Sequence, residues 1–301
     1  MKRPVPVTTM HCGAFDAETL WRDETLAKLP ALPDPQTEAI VNAMDELLFL
    51  FCRKSDILLT RNPIEPAQLN YLREIGLTFN ASGEPLGDRA DAGERNPYRL
   101  MLRKGEALQA QGLLPKDAVL EPFAVLDGVQ ELSERYALHG SFPDMAVIRQ
   151  VNSKLYSTEL RARLGHGPAT SIVRSHEELK RIAEELLRTG PLLIKDTFGV
   201  SGKGNLLIAN AQTLDRIAGY IAAQELKGKA VLFLLEPLLA KETDFSCQFH
   251  IDQDGSYELL SVQQVVNADF AYQGTFSAGA ELLEKLECEG YFRLMQETAR
   301  R

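Results

Sequence analysis

A glycine-rich segment near the middle of the chain carries the clearest chemical signal. Two short apolar runs flank Lys195-Asp-Thr-Phe-Gly-Val-Ser-Gly-Lys-Gly204, a segment with three glycines, a serine and two lysines. Backbone N–H groups in such a loop can converge on anionic oxygen. Lys195 lies in a predicted strand just before the loop, where an ammonium group is poorly placed unless it meets an anion. The pattern is typical of a phosphate-binding loop, and the alternative is an ordinary flexible β-turn.

Three known loop motifs fail on spacing. A P-loop requires Gly-Lys-Ser/Thr after four intervening residues, but the spacing from Gly199 brings Gly-Asn instead. A dinucleotide fingerprint requires a third glycine where Leu207 stands, and a nucleophile elbow requires a glycine where Lys203 stands. The phosphate motifs also join a strand to a helix, whereas Leu192–Asp196 and Asn205–Ala209 both have β patterns. We therefore expect a glycine-rich hairpin that folds over phosphates as a flap.

Further polar positions accompany the loop. Lys154 begins a predicted helix, and Glu236 and Pro237 follow the buried run Ala230–Leu235, which we interpret as a strand. Because proline has no N–H for a sheet ladder, we expect the backbone to leave the sheet at Pro237 and to expose its polar groups. Asp244 follows eight residues after Glu236. A triphosphate suits the lysines and glycine amides, and adenine suits an apolar slot with one carboxylate and exposed backbone.

This ordered set of features resembles the ATP-grasp superfamily of carboxylate–amine ligases over residues 144–301. The resemblance implies that the two lysines bind ATP phosphates and that the hairpin closes over the β- and γ-phosphates. It also implies that a strand-end acidic residue and the linker after it hold adenine, and that a further acidic residue holds the ribose. The matching positions are Lys154 and Lys195, then Ser201, Gly202, Lys203 and Gly204, then Glu236, Pro237, Leu238 and Leu239, and last Asp244.

The resemblance implies phosphoryl transfer from ATP to a carboxylate, which gives an acyl phosphate that an amine attacks, with release of ADP and phosphate. Such transfer depends on positioning and charge neutralisation, so no catalytic side chain is assigned. The implied cofactors are ATP and Mg²⁺, and the implied partner is a small carboxylate or peptide substrate. The family's metal ligands follow its last helix, so we expect them beyond Arg301 or absent. Three hypotheses stay open: an active ligase, a nucleotide-binding homologue without turnover, and a small-molecule kinase.

The expected fold is α/β, with a small Rossmann-like domain ahead of an ATP-grasp domain that is incomplete at its C terminus. Residues 1–36 are rich in proline and threonine and are expected to be an irregular lead-in. Residues 37–143 alternate strand and helix patterns, which predicts the small α/β domain. Residues 144–228 are expected to form the lysine and glycine-loop subdomain, and residues 229–301 the hinge and part of an antiparallel sheet.

Local patterns add more specific expectations for the ATP-grasp part. Apolar spacing predicts one helix over Val151–Leu164 and one over Leu282–Arg300. Asp244–Ile251 and Ser256–Val266 are predicted strands joined by a turn, and Tyr272–Ser277 is expected to be a loop.

Composition limits the class of partner. The chain has 301 residues, which is roughly two domains, and 33 basic against 42 acidic residues give a net charge of −9. That acidity counts against a general nucleic-acid or anionic-membrane binder. Four scattered cysteines and the lack of a bilayer-length apolar run favour a cytoplasmic protein. We expect no nucleic-acid or membrane partner and allow for a homodimer.

Overall fold

The computed structural model describes residues 7–31, 34–88, 91, 93–165, 170–199, 204–252, 254–268 and 271–299. Within these ranges the strands form three separate sheets. The first sheet is parallel and the other two are antiparallel. No helix in the same ranges is long and apolar enough to cross a bilayer.

The first sheet contains four short strands in the order β3-β2-β1-β4. The strands are β1 Thr9–Cys12, β2 Ile57–Leu59, β3 Asn80–Ala81 and β4 Val119–Pro122. The helices in this part are α1 Ala17–Trp21, α2 Pro35–Ala43, a 3₁₀ helix Met44–Phe51, α3 Pro66–Glu74, α4 Pro97–Ala110 and α5 Val129–Tyr136. Strands and helices alternate along the chain here, which confirms the α/β class.

The position of β1 shows that the prediction of an irregular lead-in over residues 1–36 is wrong for residues 9–12. β1 lies between β2 and β4, and its Met10 and Cys12 side chains are fully buried. Four residues among prolines and threonines carry little strand signal by themselves. Their extended conformation depends on hydrogen bonding to a neighbour on each side, and both neighbours come from distant sequence.

The second sheet contains the glycine hairpin and has the strand order β5-β8-β6-β7. Its strands are β5 Ser171–Val173, β6 Leu192–Asp196, β7 Asn205–Ile208 and β8 Phe233–Pro237. Two amphipathic helices, α8 His176–Leu187 and α9 Ala211–Glu225, pack on one face and bury alternate residues of the strands, including Leu192, Ile194 and Phe233. Because side chains alternate along a strand, the residues between them face the other side of the sheet.

Two helices, α6 Met145–Asn152 and α7 Lys154–Arg163, replace the single helix predicted over Val151–Leu164. Ser153 separates them with extended backbone angles, and its Oγ accepts a hydrogen bond from the Leu155 N–H at 3.2 Å. Serine is a favoured N-cap residue because its side chain satisfies a free N–H at the helix start. The break places Lys154 at the first position of α7.

The backbone leaves the sheet at Pro237, as predicted, because β8 ends there, opposite Leu192 of β6. The next backbone N–H, that of Leu238, is not available to a ligand, because it donates to the Pro191 carbonyl at 2.9 Å. Proline has no N–H for a sheet ladder, so it is suited to the last position of a strand.

The third sheet is a three-stranded antiparallel sheet in the order β11-β10-β9, formed by β9 Phe245–Ile251, β10 Tyr257–Ala268 and β11 Ala271–Ser277. The expected loop over Tyr272–Ser277 is therefore a strand, because pairing with β10 supplies the partners that its own mixed sequence does not indicate. The predicted helix over Leu282–Arg300 is two helices, α10 Ala280–Cys288 and α11 Tyr291–Ala299. Gly290 separates them with a φ of +77°, a conformation that glycine adopts without strain.

The burial of β1 predicts that Met10→Ala destabilises the chain by about 2–5 kcal/mol, because the truncation leaves a cavity in a fully buried strand. Val7, which is 60% exposed two residues before the strand, is the matched control: Val7→Ala is expected to change the free energy of unfolding by less than about 0.5 kcal/mol. Denaturant unfolding measures both. Equal effects of the two substitutions would contradict a central β1.

Candidate functional site

The glycine loop is a hairpin, as its strand-to-strand context predicted. β6 and β7 pair from Leu192 opposite Ile208 to Lys195 opposite Asn205, and the Asp196 N–H then donates to the Gly204 carbonyl at 2.7 Å. Gly204 has a φ of +78°, and a Cβ there would lie 3.0 Å from the Phe198 carbonyl oxygen. Glycine is therefore required at position 204. We call the paired ends of the two strands at Asp196 and Gly204 the neck of the hairpin. The other loop positions predicted to bind phosphate, Ser201, Gly202 and Lys203, lie outside the described residues.

Lys154 reaches the neck of the hairpin from the start of α7. Its backbone N–H donates to the Thr197 carbonyl at 2.8 Å, and its ammonium Nζ donates to the Asp196 carbonyl at 3.2 Å and the Gly199 carbonyl at 2.9 Å. Burial of the side chain lowers the pKa of Lys154 below its ordinary value of 10.5. The neutral carbonyl oxygens that hold the ammonium leave much of its charge available to an anion.

Lys195 lies on the face of β6 that is turned away from α8 and α9, and it forms an ion pair with Glu236 of β8. The second carboxylate oxygen of Glu236, Oε1, accepts from Arg161 Nη2 at 3.2 Å and from Thr170 Oγ1 at 3.0 Å. The role of Glu236 in holding adenine stays a prediction. Both oxygens of its carboxylate are bonded to protein groups, so its direct effect in this structure is to fix the position of Lys195.

Opposing influences act on the pKa of Glu236. Burial raises it, since an ionised carboxylate loses its hydration, but the hydrogen bond and charge of Lys195 act in the other direction, and hydrogen bonds from Thr170 and Arg161 add to them. The net result is a pKa below the ordinary value of 4.5. Glu236 is therefore ionised at neutral pH and offsets part of the positive charge around it.

The three predicted residues Lys154, Lys195 and Glu236 line one cavity of about 180 Å³. The remaining lining residues are Ser157, Thr158, Arg161 and Leu234. The cavity thus gathers three cationic side chains around one carboxylate in a chain whose overall charge is −9. A concave site with excess positive charge beside a glycine hairpin has the donors that a polyanion such as the phosphates of a nucleotide requires.

Sequence reasoning missed Arg161. It stands seven residues after Lys154 on α7, which is close to two helical turns, so both side chains lie on one helix face. That spacing was a usable signal once Lys154 had been selected. No sequence signal pointed to Thr170, because its contact with Glu236 joins positions 66 residues apart.

Asp244 and the linker lie apart from this cluster. The Asp244 carboxylate accepts from Lys241 Nζ at 2.6 Å and from Asn267 Nδ2 at 2.8 Å, and it is not among the residues that line the cavity. The hydrogen bond from Lys241 is the main reason that the pKa of Asp244 is below its ordinary value. Leu238 and Leu239 are partly exposed, at 39% and 53%. The structure therefore joins four of the predicted positions, Lys154, Lys195, Gly204 and Glu236, around the hairpin neck and leaves Asp244 beyond the linker.

Several known proteins are similar to this chain in sequence or in structure. No protein-family model matches the chain. A curated relative, the butirosin acyl-carrier protein–L-glutamate ligase of Niallia circulans, is 26% identical over 250 residues, which are 82% of this chain and 54% of that protein. The biotin carboxylase domain of the Hydrogenobacter thermophilus 2-oxoglutarate carboxylase, solved with MgADP, ADP and bicarbonate, covers 98% of this chain with a TM-score of 0.54 and 17% identity. An N5-carboxyaminoimidazole ribonucleotide synthetase solved with ADP covers 99% of this chain with a TM-score of 0.51 and 15% identity.

Both solved structures are ATP-grasp proteins that carry an N-terminal domain, and nearly the whole of this chain superimposes on each. The chain has the ATP-grasp fold. This confirms the fold class predicted from the lysines, the hairpin and the strand-end glutamate. The chain spans about half the length of the curated relative and 58% and 65% of the two solved chains.

The lowered pKa of Glu236 in the ATP-grasp fold predicts a pH-dependent contribution to stability. A depressed folded-state pKa stabilises the fold above the ordinary value of 4.5, and this contribution is lost as the pH falls through the folded-state value. We expect Glu236→Gln to lower the free energy of unfolding by about 1–3 kcal/mol at pH 7, since Lys195 and Arg161 lose their charged partner. The difference from the wild type should shrink below pH 4.5.

Denaturant unfolding at pH 7 and at several values below 4.5 measures this difference. Glu131→Gln is the matched control, because Glu131 is 57% exposed and pairs with Arg135 on the same helix turn. A Glu236→Gln effect that stayed constant over this pH range would show that the carboxylate charge is not its cause.

Proposed function

We propose that this chain binds ATP and belongs to an ATP-dependent ligase that activates a carboxylate as an acyl phosphate for attack by an amine. The observation that carries the proposal is the convergence of Lys154 and Lys195 on one cavity at the neck of the glycine hairpin. In the reaction, a carboxylate oxygen attacks the γ-phosphorus and ADP leaves. The amine nitrogen then attacks the acyl carbon, loses a proton, and phosphate leaves.

We assign the following roles to these residues. Lys154 and Lys195 bind the phosphates, and the hairpin with Gly204 closes over them. Glu236 acts by holding Lys195, and the backbone of the linker Pro237–Leu239 contacts adenine through groups other than the Leu238 N–H, which is already bonded to Pro191. Asp244 binds the ribose through a carboxylate that Lys241 and Asn267 orient. These roles require positioning and charge neutralisation and no protein nucleophile.

Mg²⁺ would supply charge neutralisation on the phosphates, but the described residues do not offer a site for it at the cavity. Mg²⁺ prefers oxygen ligands in an octahedral arrangement, and Glu236 is occupied by cationic side chains. The cluster His176, Glu177 and Glu225 has suitable spacing for a metal ion, but none of the three lines the cavity. No step of the proposed reaction is therefore assigned to a metal held by these residues.

The remaining parts of the proposal concern the setting of the site. We place a small α/β domain at residues 37–143 extended by β1, the lysine and glycine-loop subdomain at residues 144–228, and the hinge and antiparallel sheet from residue 229. The substrate is a small carboxylate or peptide, in the cytoplasm, and the protein is compatible with a homodimer. The name of the curated relative supports a carboxylate such as an amino acid, since that protein joins L-glutamate to a carrier protein.

The first test is nucleotide affinity. Lys154→Met should weaken binding of a non-hydrolysable ATP analogue by roughly 10- to 100-fold, because each hydrogen bond to a charged group contributes about 1.5–3 kcal/mol. Lys195→Met should act in the same direction. Isothermal titration calorimetry measures the affinities, and thermal melting of each variant establishes that it is folded.

Lys180→Met is the matched control, because Lys180 is a partly exposed lysine of the same subdomain that pairs with Asp215 on the neighbouring helix. Its affinity should equal that of the wild type. If Lys154→Met also bound the analogue with wild-type affinity, the proposed phosphate site would be wrong.

The second test is turnover. The chain incubated with ATP, Mg²⁺, a panel of small carboxylates that includes L-glutamate, and amine donors is expected to form ADP and phosphate only in the presence of a carboxylate. Mass spectrometry should then detect an amide when an amine is also present. A stable phosphorylated product would instead identify a kinase, and tight ATP binding without ADP formation would identify a nucleotide-binding protein without turnover.

A further inference from the structure

A buried ion pair connects the N-terminal part of the chain to the foot of the glycine hairpin. Arg22, which directly follows α1, directs its guanidinium Nε at both carboxylate oxygens of Asp196, at 2.9 and 3.0 Å. Only 10% of the Arg22 side chain and 9% of the Asp196 side chain are exposed. A pair this well buried is expensive to break, because removal of one member leaves an unbalanced charge.

The remaining nitrogens of Arg22 fasten it to its own chain. Nη1 donates to the Asp23 and Leu26 carbonyls at 3.2 and 3.4 Å, and Nη2 donates to the Ala27 carbonyl. The same segment is attached next to the hairpin sheet, since the Ala27 N–H donates at 2.8 Å to the carbonyl of Ala230, three residues before β8, and Ala27 is fully buried in the core under α8 and α9. These contacts fix the position of the Arg22 guanidinium beside Asp196.

Asp196 is the residue on which the hairpin neck depends. Its backbone N–H donates to the Gly204 carbonyl and closes the neck, and its backbone carbonyl accepts from Lys154 Nζ. Its side chain points to the opposite face of the sheet from Lys195, as alternation along β6 requires. One residue thus joins Arg22, Lys154 and the two arms of the hairpin.

We propose that Arg22 is a positioning residue for the nucleotide phosphates, which acts by neutralising Asp196 and so leaves Lys154 free to bind them. The negative charge of Asp196 already acts on Lys154, because it favours the protonated form of that side chain. Without Arg22, the buried Asp196 carboxylate would take Lys154 as its counter-ion, and the neck that Asp196 closes would lose its fixed geometry. This inference depends on the proposed nucleotide site. It adds Arg22 to that site, more than 130 positions before Lys154 in the sequence.

The experiment compares the affinities of AMP, ADP and a non-hydrolysable ATP analogue for the 301-residue chain and its variants. Arg22→Gln removes the positive charge and should lower the affinity for the ATP analogue by about tenfold. This is the free energy that corresponds to a shift of one pKa unit. The affinity for ADP should fall less, and the affinity for AMP should change by less than twofold. The reason is that the effect acts through Lys154 and grows with the charge of the phosphates. Arg22→Lys should recover part of the loss.

The double variant Arg22→Gln/Asp196→Asn removes both charges and should restore the affinity for the ATP analogue to within about threefold of the wild type, since Lys154 again has no buried carboxylate competitor. A rescue of this kind is not expected of a residue whose role is only structural. Arg135→Gln is the matched control, because Arg135 is 51% exposed and pairs with Glu131. It should leave all three affinities unchanged.

Three results would overturn the inference. One is wild-type affinity for the ATP analogue in Arg22→Gln. Another is an equal loss for AMP, ADP and the ATP analogue that Asp196→Asn does not rescue, which would identify a structural role alone. In both cases the wild-type protein still binds the ATP analogue and the proposed function stands. If the folded wild-type protein failed to bind it, the proposed function and this inference would both be wrong.

Discussion

The structure depends on the balance of charge around two buried carboxylates in neighbouring strands. Glu236 faces the cavity and is neutralised by Lys195 and Arg161, and Asp196 faces the opposite side of the same sheet and is neutralised by Arg22. A carboxylate that is removed from water must find a counter-ion or remain protonated. These three ion pairs therefore link β6 to β8, β8 to α7, and β6 to the residue that follows α1.

The two faces of the hairpin sheet divide the remaining tasks. Apart from Asp196 at the end of β6, one face is apolar and packs against α8 and α9, which supplies the hydrophobic stabilisation of this region. The other face is polar at the strand ends, where Lys195 and Glu236 meet Arg161 of α7. A rigid apolar layer on one side allows charged groups on the other to be held in a fixed arrangement, which is what a phosphate site requires.

Sequence reasoning identified the elements of the site better than their boundaries. Lys154, Lys195, Gly204 and Glu236 were all selected from residue type and order, and they lie together at the hairpin neck. The contacts of Arg161 and Thr170 with the Glu236 carboxylate were not predicted, because no local pattern records contacts between positions so far apart in the chain. The strand β1 and the strand over Tyr272–Ser277 were missed for the same reason: their extended conformation depends on hydrogen bonds to distant partners.

The amino-acid sequence was sufficient to determine the properties that depend on local interactions. The short β patterns on both sides of the glycine loop indicated that it joins two strands, as the structure shows. The N-cap at Ser153 is equally local, but the prediction of one helix over Val151–Leu164 missed it. Only the tertiary structure decided which charges meet. Arg22 and Asp196 are 174 residues apart in the chain, and their contact exists because folding buries both of them at one point. A buried charge selects its partner by distance in space, which no local sequence pattern records.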